Sequence, residues 1–213
     1  MYEKELDALL PRCFEMYNFM EEHINQLEPL SELKYRLAFQ SGTLCFEHGL
    51  ATLTLISDGL TSSGLGLIRP QYESLIRGFW FMYANNDTWL KKLSSAKTLS
   101  PEDLKKFETP MIADMLKALD SSEGPAHIIG QLNEFRAITN SSINSFTHSG
   151  LLSIISSSKG YDPKLIYDAI RNANAVAAIN IQMMSLLTGI DEAIEPVRGM
   201  HHKFVDCLPI IHS

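Results

Sequence analysis

The sequence has little with which to cross-link itself. Only three cysteines occur among its 213 residues, and Cys13, Cys45 and Cys207 are far apart, with no CxxC pair. An odd number of scattered cysteines is typical of reduced thiols in a cytosolic protein. The pattern argues against a disulfide-stabilised secreted domain and predicts a cytoplasmic location.

Long uncharged apolar runs are also missing. The most apolar windows are 43–56 and 65–84, and charged side chains such as Glu47 and Arg69 interrupt them. A membrane span needs about 20 predominantly apolar residues. The opening MYEKELDALL is acidic and amphipathic, without the basic and apolar regions of a signal peptide. We therefore expect a soluble protein that does not enter a membrane.

Charge is scarce and its balance is negative. Charged residues make up 20% of the chain, and the formal net charge is −7, which argues against a protein that coats nucleic acid. The motifs GxxxxGK[ST], GxGxxG and GxSxG do not occur, which disfavours P-loop, Rossmann and α/β-hydrolase chemistry. The spacings typical of zinc and of di-metal carboxylate sites are missing as well. We expect no metal and no cofactor.

What the chain does contain is apolar residues at helical spacing. Steps of three or four residues recur along most of its length, and Asp162-Pro163 is a helix-start signal. No repeat and no convincing strand is found. The pattern predicts a single all-α domain over residues 1–213, a bundle of about five to seven helices with mostly short loops. In the first helix the periodic residues are Leu6, Leu10, Phe14, Tyr17, Met20, Ile24 and Leu27.

Three segments have a distinct character within this bundle. Residues 85–124 are more polar and are predicted to form a small helical insertion or flap. Residues 190–213 are predicted to be a C-terminal tail in which Asp191 caps a last short helix, broken near Pro196. The stretch around His201 and His202 fits no familiar zinc pattern and is predicted to be polar and mobile. The alanines of 173–178 are small enough for close helix packing, either in a homodimer interface or inside the bundle.

A proline lies inside the third predicted helix, 64–84. Pro70 has no backbone N–H, so the carbonyl of Gly66 loses its helical partner. We expect a kink at this point.

The first candidate site follows that proline directly. Arg69, Glu73 and Arg77 are spaced i, i+4, i+8, so they share one helix face amid apolar neighbours. Two guanidinium groups would hold a phosphate or carboxylate while Glu73 orients one of them. The alternative interpretation is an exposed, salt-bridged stripe of little energetic weight.

The second candidate site is a polar stretch in the middle of a later predicted helix. Arg136, Asn140, Asn144 and His148 fall at steps of four, near one face. Ser141 adds to this polar set, for which helix propensity does not account. In the functional interpretation, His148 is an acid/base or hydrogen-bonding group held by Asn144. In the alternative, the stretch is an ordinary solvated face.

Taken together, these positions resemble a known superfamily. Leu67-Ile68-Arg69-Pro70 with Glu73, followed on a later helix by Asn144 and then His148-Ser149-Gly150, resembles small bacterial all-helical proteins. These belong to the HEPN (higher eukaryotes and prokaryotes nucleotide-binding) superfamily, which includes abortive-infection-type relatives. The resemblance implies a helical fold and a role in bacterial defence or as a toxin.

The same resemblance raises the question of nuclease activity. In nuclease members, an arginine followed by four to six residues and a histidine forms a metal-independent RNase site across a dimer. No arginine of this chain has a histidine at that distance; after Arg171-Asn172, the positions hold Val176, Ala177 and Ala178. The nuclease motif is therefore missing, while the implied fold is unaffected.

Two functions follow from these patterns. The first is a non-catalytic HEPN-like protein that binds a protein partner or a small anionic ligand through the Arg69, Glu73, Arg77, Asn144 and His148 positions. The second is an RNase toxin in which His148 is the general acid/base and Arg69 stabilises developing charge. A homodimer is compatible with both.

Overall fold

The structure is a computed structural model that describes residues 2–84, 86–95, 100 and 107–209, without the side chains of 138–143. Within these ranges the chain forms ten α-helices and short 3-10 helices, and no strand. The α-helices are α1 (Tyr2–Ile24), α2 (Leu33–Ser57), α3 (Thr61–Gly66), α4 (Ile68–Tyr83), α5 (Asp87–Ser94), α6 (Ile112–Asp120), α7 (Ala126–Thr147), α8 (Leu151–Lys159), α9 (Pro163–Leu186) and α10 (Glu195–Lys203). The 3-10 helices include Asp191–Ile194 and Val205–Cys207.

The all-α prediction is confirmed, but the predicted number of five to seven helices is wrong. One reason is that two predicted helices are each divided in two. The third predicted helix, 64–84, is interrupted at Leu67, between α3 and α4. The later predicted helix that carries Asn144 and His148 is interrupted at 148–150, between α7 and α8. Within the described ranges, none of the helices offers the extended apolar stretch that spans a bilayer.

Helix α9 is central to the bundle, because its side chains belong to both of the buried clusters that make up the core. Ala173, Ala177 and Ala178 pack against α1 and the C-terminal segment, whereas Met183 and Met184 pack against α2 and α4. The three alanines are at most 3% exposed. This part of 173–178 therefore packs inside the bundle, the second of the two predicted alternatives, and it offers no surface for a homodimer.

Helices α2 and α4 lie side by side along the half of the core that contains Met183 and Met184. Helix α6, within the segment 85–124, buries Met115, Leu116 and Leu119 against α4. This packing fixes α4, and with it the Arg69 face, on a rigid support.

The C-terminal segment agrees with its prediction only in part. Helical turns begin at Asp191 as predicted, but they continue past Pro196 to residue 207 in place of a mobile polar tail. Val197, Met200, Phe204 and Cys207 are buried. Their side chains join the core cluster around α1 and α9. The spacing of these apolar residues gives α10 an apolar face that packs inward. Burial of this face determines where the helix lies, despite its polar His201-His202 surface.

Candidate functional site

The site begins at the break between α3 and α4. Pro70 cannot donate to the Gly66 carbonyl, and the hydroxyl of Thr147, at the end of α7, donates to that carbonyl at 3.3 Å instead. Gly66 also leaves room for α7, because a Cβ atom there would lie 3.3 Å from the Phe146 carbonyl oxygen. The expected kink is thus a full break, and it receives the C-terminal end of α7.

A second contact holds the two helices together farther along. The Tyr72 hydroxyl of α4 donates to the Leu132 carbonyl at 2.8 Å, and the Tyr72 ring stacks on Phe135 with 4.9 Å between ring centroids. Burial raises the pKa of Tyr72, so its phenol stays protonated and continues to donate. With Thr147 at one end and Tyr72 at the other, α7 is fixed against the Arg69 face of α4.

Arg69 is the centre of the site that results. Its Nε donates to Glu73 Oε1 at 2.8 Å, and one terminal nitrogen donates to Asn144 Oδ1 at 2.6 Å. The same nitrogen lies 3.1 Å from His148 Nε2. A guanidinium only donates, so His148 Nε2 is the acceptor and this geometry requires the neutral ring. The two polar stripes predicted from sequence meet at this one side chain.

Arg77 joins the cluster only through Glu73. One Arg77 terminal nitrogen lies 3.5 Å from Glu73 Oε2, so the carboxylate lies between two guanidiniums. The Arg69, Glu73 and Arg77 side chains are 37%, 23% and 34% exposed, and His148 is exposed. At this exposure each ion pair contributes at most about 1 kcal/mol to folding. The cluster is open to solvent and carries one net positive charge with His148 neutral.

The remaining sequence-predicted site residues have a different standing. Asn140 and Ser141 lie among the side chains outside the described residues. The described part of the chain contains no group of three His, Cys, Asp or Glu side chains that would hold a metal ion. Thr147 and Ser149 belong to the architecture of the site, although the sequence predicted no role for either residue. The one available signal was Pro70, which leaves the Gly66 carbonyl in need of a donor.

Backbone strain occurs next to His148. His148 caps the end of α7, Ser149 has φ 52°, and the Gly150 N–H donates to the Ser145 carbonyl at 2.6 Å. This is the six-to-one hydrogen bond of a Schellman motif. Ser149 occupies the C′ position of that motif, where glycine is usual. A side chain in the left-handed region costs about 1 kcal/mol or more. The strained residue lies in the turn that directs His148 toward Arg69.

Replacing Ser149 by glycine is expected to raise the free energy of unfolding by about 0.5–1 kcal/mol, because the strain disappears. Urea denaturation measures the change. The matched control is Ser157→Gly in the exposed interior of α8, which should lower the free energy by about 0.5 kcal/mol. Equal losses in both variants would contradict the strain at Ser149.

The comparisons with known proteins point to one family. No curated protein and no solved structure matches the chain. A family match covers residues 42–210, which contain every residue of the Arg69 cluster. The match extends over well more than half of the chain, which therefore belongs to DUF6988, described as a family of unknown function.

Proposed function

We propose that the protein is a non-catalytic helical binding protein that holds a small phosphate- or carboxylate-bearing anion at Arg69. The observation that carries this proposal is the state of the Arg69 guanidinium. Glu73 and Asn144 fix it from two directions, while 37% of the side chain stays exposed beside His148. An immobilised guanidinium binds an oxyanion with little further loss of side-chain freedom.

Local charge supports the same proposal. The chain carries a net charge of −7, yet the Arg69, Glu73 and Arg77 group is positive by one unit. A small positive group on an acidic protein favours a small anion over an extended polyanion, because the negative charge of the whole chain repels a long phosphate backbone. A HEPN-like relationship and a role in bacterial defence belong to the same proposal.

Titration calorimetry with inorganic phosphate and with adenosine monophosphate tests it. We expect Arg69→Gln to weaken binding at least about tenfold, because charge-assisted hydrogen bonds to the anion are lost. The matched control is Arg198→Gln, because Arg198 is also paired with a nearby glutamate, Glu195, on an exposed helix face. Wild-type affinity in Arg69→Gln, or no binding by the wild type, would refute the proposal.

A second candidate, RNA cleavage, rests on the 3.1 Å approach of Arg69 to His148 Nε2. A neutral imidazole beside a guanidinium is suited to a reaction in which a ribose 2′-hydroxyl attacks the adjacent phosphate. The ribose hydroxyl would replace Arg69 as the donor to His148 Nε2, which takes the hydroxyl proton. Arg69, oriented by Glu73, would stabilise charge on the phosphate oxygens. Such a site uses no metal ion, and a second copy of the chain would be compatible with it.

Growth and total-RNA integrity after induction in a bacterial host distinguish the two functions. RNA fragmentation by the wild type and by Arg198→Ala, lost in His148→Ala and Arg69→Ala, would establish the nuclease. Intact RNA at equal protein levels, together with phosphate binding in calorimetry, would establish the binding protein. If the wild type neither fragments RNA nor binds phosphate, this cluster is eliminated as a site for phosphate-containing ligands.

A further inference from the structure

A buried polar cluster joins the first helix to the C-terminal segment, away from the Arg69 site. Cys13 of α1 and Cys207 of the last 3-10 helix both contact Asn174 of α9. The Asn174 amide nitrogen donates to Cys13 Sγ at 3.0 Å and to the Cys207 carbonyl at 3.0 Å. Both cysteines belong to the same buried cluster, in which the last 3-10 helix packs against α1. One buried amide therefore bridges the Cys13 thiol and the backbone of Cys207.

Two arginines clamp the segment that carries Cys207. Arg12 donates to the Lys203 carbonyl at 2.9 Å and to Asp206 Oδ2 at 3.0 Å. Arg171 donates to the carbonyl of Leu208. The clamp keeps Cys207 against α1 and α9, with the Arg12 guanidinium paired to Asp206 and Glu15.

The two thiols are not equivalent. Interaction with the Cys13 thiol lowers the pKa of Cys207, and the charges of Arg12 and Arg171 act in the same direction, against burial and the charge of Asp206. The pKa of Cys13 is raised, first by its contact with Cys207 and then by burial. Cys207 is therefore the sulfur that ionises more readily and becomes the nucleophile.

The surroundings of the pair are unusual for a packed core. Asn174 is fully buried, yet its Oδ1 has no hydrogen-bond partner among the described residues, and the same holds for Nε of Arg171. Buried polar atoms without partners are costly and rare. Here one unused acceptor and one unused donor belong to the two residues that contact the Cys207 segment. When the segment opens, Arg171 Nε is a donor for an oxygen atom of a small polar reactant, and Asn174 Oδ1 is an acceptor for its O–H group.

We propose that Cys13 and Cys207 form an oxidisable dithiol, which a hydroperoxide converts into an intrachain disulfide. The Cys207 thiolate attacks one oxygen of hydrogen peroxide, the O–O bond breaks, and the other oxygen leaves as water after taking a proton. Cys207 is then a sulfenic acid. The Cys13 sulfur attacks the Cys207 sulfur, the S–O bond breaks, and water leaves with the Cys13 proton. Two thiols lose two electrons, and one peroxide is reduced to two waters.

Access to the pair comes through the last 3-10 helix. Cys13 and Cys207 are both 0% exposed, but Val205 on the same short turn is 68% exposed. A three-residue helix opens at a small fraction of the global unfolding free energy, so peroxide reaches the sulfurs without unfolding of the bundle. Once formed, the disulfide joins positions 194 residues apart in sequence (207 − 13) and ties the C-terminal segment to α1.

The test treats the folded full-length protein with hydrogen peroxide and counts thiols after denaturation. We expect three reactive thiols before treatment and one after it, with a Cys13–Cys207 linked peptide in the digest. Because the bond closes a loop of nearly the whole chain, we expect Tm to rise by about 10 °C or more. Cys45 is fully buried in the other half of the core, so Cys45→Ser should form the same disulfide.

Variants separate the two chemical steps. In Cys13→Ser the sulfenic acid on Cys207 should persist long enough for capture by dimedone, whereas Cys207→Ser should show neither capture nor cross-link. Three thiols remaining in the wild type, or a linkage through Cys45 or to a second chain, would overturn the proposal. The wild-type peptide map decides the matter even if a cysteine variant does not fold.

Discussion

Replacement of Gly49 by alanine is expected to lower the free energy of unfolding by about 3 kcal/mol, a drop in Tm of roughly 6–12 °C. Gly49 lies in α2 where α1 and α4 approach. A Cβ atom there would be 2.2 Å from the Tyr17 hydroxyl and 2.6 Å from Gln71 Nε2. Tyr17 is 1% exposed and Gln71 is fully buried, so neither side chain has free space to move into. Overpacking outweighs the gain of up to about 1 kcal/mol in helix propensity.

The matched control for this prediction is Gly130→Ala. Gly130 is an exposed residue in the interior of α7, and nothing lies within 4 Å of the Cβ position. The same chemical change should therefore raise the free energy of unfolding by up to about 1 kcal/mol. Urea denaturation of both variants measures the two opposite signs. A neutral or stabilising Gly49→Ala would show that α1, α2 and α4 do not approach this closely.

A double-mutant cycle locates the clash. Tyr17→Phe removes the nearest obstructing atom, so Gly49→Ala should cost less in that background by about 1 kcal/mol or more. The rescue should be partial, because Gln71 Nε2 and a Tyr17 ring carbon at 3.1 Å remain in place. Strict additivity of the two substitutions would place the strain elsewhere.

Much of the fold could be predicted because its helices follow local rules. The apolar spacing of α1 and the Asp162-Pro163 start of α9 both depend on residues within a few turns of each other. Asp162 indeed accepts a hydrogen bond from the Lys164 N–H at 2.9 Å. The breaks at Leu67 and at 148–150 could not be read equally well. Each depends on a partner helix that fills the gap, and that partner is distant in sequence.

The candidate site shows the same division. A spacing of four residues correctly placed Arg69 with Glu73, and Asn144 with His148, on shared helix faces. Their meeting was not predictable from spacing, because the contacts join residues 75 and 79 positions apart. The end of α7 reaches Arg69 because Pro70 frees the Gly66 carbonyl and Thr147 supplies the donor. One local signal thus carried information about a tertiary contact.

In the C-terminal segment, residue type was a poorer guide to the structure than residue spacing. His201, His202 and Lys203 give the segment a polar appearance. Val197, Met200 and Phe204, however, recur at steps of three and four, the same period that identified α1. The period was readable over only two turns, and its significance comes from the groove between α1 and α9, which only the folded chain provides.

Replacement of Phe204 by alanine tests whether this docking contributes to stability. Phe204 is fully buried, 6.0 Å from the Phe19 ring and 4.9 Å below the Arg12 guanidinium. Its removal leaves a cavity and should lower the free energy of unfolding by about 3–5 kcal/mol. A mobile tail would predict a change below about 0.5 kcal/mol. The adjacent Val205, which is 68% exposed, supplies the control.

Val205→Ala should change the free energy of unfolding by less than about 0.5 kcal/mol. The contrast between neighbours excludes a general effect of altering this segment, because both substitutions shorten an apolar side chain on the same turn. A near-neutral Phe204→Ala would mean that the segment leaves its groove in solution. Cys207 would then be free of the Arg12 and Arg171 clamp, and peroxide would oxidise it without forming the link to Cys13. The stability of Phe204→Ala therefore also decides whether the two thiols are held together long enough to react with each other.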